Sequence, residues 1–188
     1  MTLEISPKEI KNILINYLKD EGYDSITEND ITFDIGEKPQ GYGYFDDGKH
    51  HHYYLSGDAS LSATMELAGL DVTIDLGGNT LSAPSTNRAF TISDGATLSL
   101  VDTSAEKTGT LKGATNCETG AGTIYASGGS VVNLYSGTIT GGSSVEGGGN
   151  IYLVSDTVMR MSGGTISGGT ATTSGGNVFL GSGGTFTM

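Results

Sequence analysis

Tryptophan is absent from this 188-residue chain, proline occurs three times and cysteine once. A single cysteine, Cys117, cannot close an intramolecular disulfide, so stability has to come from packing and hydrogen bonds. Apolar residues make up 36% and charged residues 16%, both low for a globular chain. No run of eighteen apolar residues exists, so no membrane-spanning helix is expected. Basic residues are scarce, with 9 Lys and Arg against 21 Asp and Glu and a net charge of −12. That balance argues against nucleic-acid binding through a basic patch. Glycine fills the gap with 31 residues, but without the every-third-residue period of collagen.

Glycine and charge are unevenly spread. Residues 1–50 hold 11 of the acids and only 5 glycines, whereas residues 120–188 hold 19 glycines and almost no charge. Such a shift marks two modules, with the boundary near Asp46–Gly48. Residues 1–49 read as a helix-plus-strands capping module. Ser6-Pro7-Lys8-Glu9 is a capping-box helix start, and Ile10, Ile13, Leu14, Tyr17 and Leu18 form one apolar stripe. Ile31, Phe33 and Ile35 alternate as in a half-buried strand, and Tyr42 and Tyr44 suggest a second. The start shows neither a basic nor an apolar leader region. The expectation is therefore a cytoplasmic or virion protein, or a piece of a longer exported cell-surface protein.

Residues 50–188 repeat. Asn150-Ile-Tyr-Leu matches Asn177-Val-Phe-Leu, and Gly137-Thr-Ile-Thr-Gly-Gly142 matches Gly164-Thr-Ile-Ser-Gly-Gly169, each 27 residues on. Val132, Met159 and Phe186 keep the same step. Further back it widens to 34, with the extra residues assigned to loops at Ala105–Thr108 and Asn116–Gly120. Each copy holds three short β-type pieces separated by Gly, Ser, Asn or Thr. Leucine-rich, helical and propeller repeats do not fit this pattern. Three strands in 27 residues is one turn of a parallel β-helix, with turns stacked at about 4.8 Å. The fold class expected is mostly β, a right-handed parallel β-helix with a small α+β N-terminal cap. Ile139, Ile166, Val132, Leu134, Met159, Met161, Ile151 and Val178 should form internal stacks, and Gly-Gly pairs should supply positive φ at the corners.

Tyr53-Tyr-Leu-Ser-Gly-Asp58, Val72-Thr-Ile-Asp-Leu-Gly-Gly-Asn-Thr-Leu81, Gly95-Ala-Thr-Leu-Ser-Leu-Val-Asp102 and the Gly-Thr-Ile-Ser-Gly-Gly repeats together resemble β-helix regions of large surface proteins from Gram-positive gut bacteria. Related repeats resemble pectate-lyase-like folds and phage tailspikes. The resemblance covers residues 50–188. It implies an adhesin-like or fibre module of the cell surface or virion, with protein or glycan as partner.

The candidate chemistry is thin. A lyase or glycosidase needs clustered acids with a base, or carboxylates about 6.5–9.5 Å apart. Asp71 and Asp75 lie on one strand face but about 13 Å apart, and the nearest arginine in sequence is Arg88. They read as solvated surface acids. His50-His51-His52 with Asp46 or Asp47 could hold a metal, but no second ligand motif accompanies them. Gly147-Gly-Gly-Asn150 is not followed by the Lys and helix of a phosphate loop. No cofactor or metal is expected. Thr138 and Thr140 over Thr165 and Ser167 form a threonine ladder of the kind found on ice-binding solenoids, here over two turns. Tyr42, Tyr44, Phe45, Tyr53 and Tyr54 cluster in sequence and could stack on sugar rings or seal the module junction. The candidate binding surface is thus Tyr42, Tyr44, Tyr53, Asp71, Asp75, Thr138, Thr140 and Thr165. Val178, Leu180 and Phe186 form a candidate association edge, since an open solenoid end invites strand pairing with a second copy. Taken together, these features favour a non-catalytic surface or fibre module. The alternatives are an acidic intracellular inhibitor that mimics nucleic acid, and a polysaccharide lyase or hydrolase.

Overall fold

The computed structural model describes residues 42–46 and 50–188. The capping helix and the strand at Ile31–Ile35 lie outside the described residues. So does the apolar stripe of Ile10, Ile13, Leu14, Tyr17 and Leu18. Every regular element described is a β-strand, and none is longer than six residues. The short length follows from sequence, because Gly, Ser, Asn or Asp interrupts each apolar alternation within a few positions.

The strands stack into three parallel sheets that the chain visits in rotation. The first sheet contains β2 (His50–Leu55), β5 (Asp71–Asp75), β8 (Thr97–Val101), β11 (Val131–Leu134), β15 (Val158–Met161) and β19 (Thr185–Thr187). β1 (Tyr42–Asp46) closes that sheet by pairing antiparallel with β2, Tyr44 opposite Tyr53. The second sheet contains β3 (Ala59–Ser60), β6 (Thr80–Ser82), β9 (Thr110–Lys112), β12 (Thr138–Thr140) and β16 (Thr165–Ser167). The third contains β4 (Met65–Ala68), β7 (Phe90–Ser93), β10 (Ile124–Ala126), β14 (Ile151–Leu153) and β18 (Val178–Leu180). This is a β-solenoid of about five turns, with about 27 residues in each regular turn. A fourth, two-stranded sheet pairs β13 (Ser143–Ser144) with β17 (Thr170–Ala171), so the later coils have four sides rather than the three expected.

The registers match the sequence offsets. Val132 pairs with Met159 and Met159 with Phe186, while Ile139 pairs with Ile166 and Ile151 with Val178. Alternation in each strand sends these side chains inward, where like stacks on like. One column runs Val72, Leu98, Val132, Met159, and a second runs Ile74, Leu100, Leu134, all buried. Leu81, Leu111 and Ile139 fill the second sheet's side, and Phe90, Ile124 and Ile151 the third's. The first coil borders an apolar hollow. Tyr53, Leu55, Leu61, Met65, Ile74 and Leu81 are among the residues lining a cavity of about 260 Å³.

The Gly-Gly pairs supply positive φ at the corners as expected, in both residues at Gly77-Gly78 and Gly128-Gly129 and in one residue at Gly141-Gly142 and Gly168-Gly169. Gly141 and Gly168 take positive φ, at 73° and 61°. Their followers do not; they are glycine because of close approach. A Cβ on Gly142 would fall 2.2 Å from the Gly149 carbonyl oxygen, and one on Gly169 would fall 2.4 Å from that of Gly176. An asparagine ladder, buried at Asn150 and exposed at Asn177, holds the same corner. Asn150 Oδ1 accepts from the Gly142 amide at 2.8 Å, and Asn150 Nδ2 donates to the Ser167 carbonyl and to Asn177 Oδ1. Asn177 Oδ1 in turn accepts from the Gly169 amide. The asparagine of each Gly-Gly-Asn is therefore spent on the backbone.

The long step of the third coil is also accounted for. Leu100 pairs with Leu134, 34 residues on, but Leu111 pairs with Ile139, only 28 on. Nearly all the extra chain thus lies between β8 and β9, and the segment around Asn116–Gly120 contributes little. Asp102, 1% exposed, anchors this loop. Its Oδ1 accepts from the Gly78 and Ser104 amides at 2.9 and 3.1 Å, and its Oδ2 from the Gly109 amide at 2.5 Å. Asp75 braces the loop from the previous coil, accepting from the Thr103 amide at 3.0 Å and the Thr103 hydroxyl at 2.7 Å. Asp75 is 5% exposed, which corrects its reading as a solvated surface acid: it points to the outer face, but the inserted loop folds over it.

Burial opposes ionisation of Asp102. The nearby Ser104 hydroxyl, which completes no hydrogen bond of its own, and the Gly109, Ser104 and Gly78 amides outweigh it and hold the carboxyl below its ordinary 3.8. A carboxylate whose folded pKa is lowered stabilises the fold above its unfolded pKa, and that contribution disappears as pH falls through the folded value. Asp102→Ala leaves three backbone donors without their acceptor and should cost about 3 kcal/mol or more at pH 7. Urea melts of both proteins at pH 7 and below the folded pKa check this: the difference between them should shrink in acid.

Candidate functional site

Most of the sequence-predicted surface residues are dispersed. His50 Nε2 lies 3.3 Å from Asp71 Oδ2, each side chain 44% exposed, so Asp71 is engaged across the β2–β5 pair. Tyr53 packs against the apolar core and Tyr54 is exposed, as strand alternation requires. Tyr42 and Tyr44 sit on β1 in register with Leu55 and Tyr53. No group of three or more His, Cys, Asp or Glu side chains converges as a metal site among the described residues.

The threonine column is longer than the sequence suggested. Thr80, Thr110, Thr138 and Thr165 are in register over four coils. Its neighbour runs Ser82, Lys112, Thr140, Ser167, so a lysine interrupts the Thr-x-Thr face at the third coil. At the last coil, Val178 and Phe186 are half-buried and Leu180 is 46% exposed on the end strands β18 and β19.

A concave polar feature lies elsewhere, on the fourth side of the solenoid. It is a half-open groove of about 690 Å³ that runs along the axis past several successive coils. Thr86 and Asn87 contribute to it from the segment before β7, and Asn116–Thr119 from the segment after β9. Ser143–Val145 and Thr172 continue it on the next two coils. The backbone beneath is committed to the solenoid. The Cys117 amide donates to Ser143 O, Ser143 to Ala114 O, Val145 to Cys117 O and Thr172 to Ser144 O. Cys117 is buried in the floor, while Val145 is 52% exposed.

An aromatic column holds up one wall. Tyr125, Tyr152 and Phe179 occupy the same outward position on β10, β14 and β18. The Tyr125 and Tyr152 centroids are 5.6 Å apart at 77°, and those of Tyr152 and Phe179 are 4.7 Å apart at 90°, both edge-to-face. The Arg88 guanidinium lies 4.8 Å above the Tyr125 ring and donates to the Thr119 hydroxyl. Gly120, next to Thr119, lies so close to Tyr152 that a Cβ there would sit 2.0 Å from the ring. The column thus fixes the Asn116–Thr119 wall of the groove.

Sequence reasoning missed both features. The repeat did carry the aromatic signal, because Tyr125, Tyr152 and Phe179 hold one position in Thr-Ile-Tyr, Asn-Ile-Tyr and Asn-Val-Phe. The groove had no such signal. Its residues are ordinary turn-formers, and only the stacking of coils brings them together.

Because Tyr152 touches a ring on either side, Tyr152→Ala should cost about 2–3 kcal/mol and Tyr152→Phe less than about 1 kcal/mol. Urea denaturation should also show coupling between Tyr152→Ala and Phe179→Ala; strictly additive losses would mean the column is not a unit.

Comparison with protein-family models, with curated proteins and with solved structures found no match to this chain.

Proposed function

We propose that the chain is a non-catalytic binding module of the surface, adhesin-like or fibre type, which presents its polar solenoid side to a glycan or a protein. The observation that carries this reading is the groove along the fourth side. It is large enough for a small ligand, and polar side chains from several coils dominate its lining. The only carboxylate among its described lining residues is Glu118, which has no acid partner there for paired acid–base chemistry. Asp75 and Asp102, the acids with the most hydrogen bonds, are buried and occupied by backbone amides. A rigid scaffold of stacked coils suits binding, because the side chains are held in place before a ligand arrives.

The adhesin-like assignment rests on the sequence resemblance to surface β-helix proteins and on the solenoid architecture. A glycan array followed by calorimetry, with reducing-end and unsaturated-end assays on every bound polysaccharide, tests it. Saturable binding without release of new ends is the expected result. Turnover abolished by Glu118→Gln would replace binding with catalysis.

We also propose that the end strands β18 and β19 accept a further β-coil from a second copy. Leu180 is the observation here: it is 46% exposed at the end of a column whose earlier members, Leu67, Ile92, Ala126 and Leu153, are buried. Light scattering over a concentration series should show association that Phe186→Lys weakens. A mass that stays monomeric throughout would remove the idea.

A further inference from the structure

The groove on the fourth side contains more unspent polar groups than its architecture needs. The side chains of Thr86, Asn87, Asn116, Ser143 and Thr172 line it, yet none makes a hydrogen bond with the described residues. Polar side chains with a structural task in this fold look different. Asn150 and Asn177 are filled by the backbone, Ser144 donates to Gly147 O, and Thr119 accepts from Arg88. The five unspent groups come from loops on separate coils and converge only through stacking. Hydroxyls and carboxamides offer donors and acceptors together.

Three further observations narrow the ligand. The floor amides of Cys117, Ser143, Val145 and Thr172 are bonded to neighbouring coils, so an extended peptide cannot add here as a strand. Glu118 is the one charged residue among the described lining residues, and the whole chain carries −12. Arg88, bonded to Thr119 in the same wall, offsets Glu118 locally, so it is the net charge of the chain that disfavours anionic ligands, at long range. Val145 adds one exposed apolar side chain to a polar lining, which matches a ligand with a polar rim and an apolar face.

We infer that this groove binds a short neutral oligosaccharide, with Asn87, Asn116, Ser143 and Thr172 bonding the ring hydroxyls, Val145 against a ring face and the net negative charge of the chain disfavouring acidic sugars. The inference rests on the binding reading above and gives it a place and a ligand class.

The test is calorimetry of the full chain against neutral cello-, malto- and N-acetylchito-oligosaccharides of two to four rings, with oligogalacturonates as the acidic counterpart. Neutral ligands should bind and acidic ones should not. Asn87→Ala and Thr172→Ala should each weaken binding about fivefold to tenfold, as for loss of one or two hydrogen bonds. Thermal melts of the variants should be unchanged, since these side chains support nothing internal. Neutral binding that the Asn87 and Thr172 variants leave unaltered would overturn the groove assignment while leaving the binding reading intact. Preference of the unaltered protein for the acidic series would overturn the ligand class. A chain that binds nothing on the array would overturn the oligosaccharide proposal and leave only the protein branch of the binding reading.

Discussion

The constraint behind everything else in this molecule is the parallel hydrogen-bond ladder between coils. Each strand is bonded to the equivalent strand of the coil before and the coil after, and the register has to hold on three sheets at once. A one-residue slip within any strand would turn an inward column outward. Extra residues can therefore leave only at corners. The irregular parts of the chain, the 102–109 loop and the segment around Asn116–Gly120, are both found there.

The two corners have opposite characters. The loop after β8 is closed down by carboxylates: Asp102 gathers amides from Gly78, Ser104 and Gly109, and Asp75 reaches in from the coil below. Gly109 must be glycine there, because a Cβ would lie 2.5 Å from Leu76 Cβ. The Asp102 and Asp75 carboxylates end up buried and satisfied. On the fourth side, the aromatic column and Arg88 hold the wall from behind, and the hydroxyls and carboxamides in front stay open. The same solenoid thus uses one irregular corner for stability and leaves another available to a ligand.

Charge is distributed with the same logic. Asp75 and Asp102 are out of solvent and surrounded by donors. Glu118, at the groove, is exposed. A chain of −12 with a hydroxyl-rich concavity is better matched to neutral polar ligands than to polyanions.

The sequence by itself determined the solenoid. The 27-residue offset, the alternation inside each short strand and the Gly-Ser-Asn punctuation are local properties, and they dictate the stacking of Ile139 on Ile166 and of Val132 on Met159 on Phe186. The tertiary structure decided what each polar residue is for. Asp71 and Asp75 look alike in sequence, yet one faces His50 at the surface and the other is roofed by Thr103 from a coil away. Asn150 and Asn87 are both loop asparagines, yet one is filled by backbone amides and the other is open. Thr86, Asn116, Ser143 and Thr172 form a groove only because stacking brings residues almost 90 positions apart in sequence onto one side. Periodicity reports which side chains repeat inward, since burial is set by neighbours in the same strand. It carries no information on what a loop meets on the next coil, because that contact depends on inserted lengths and corner geometry.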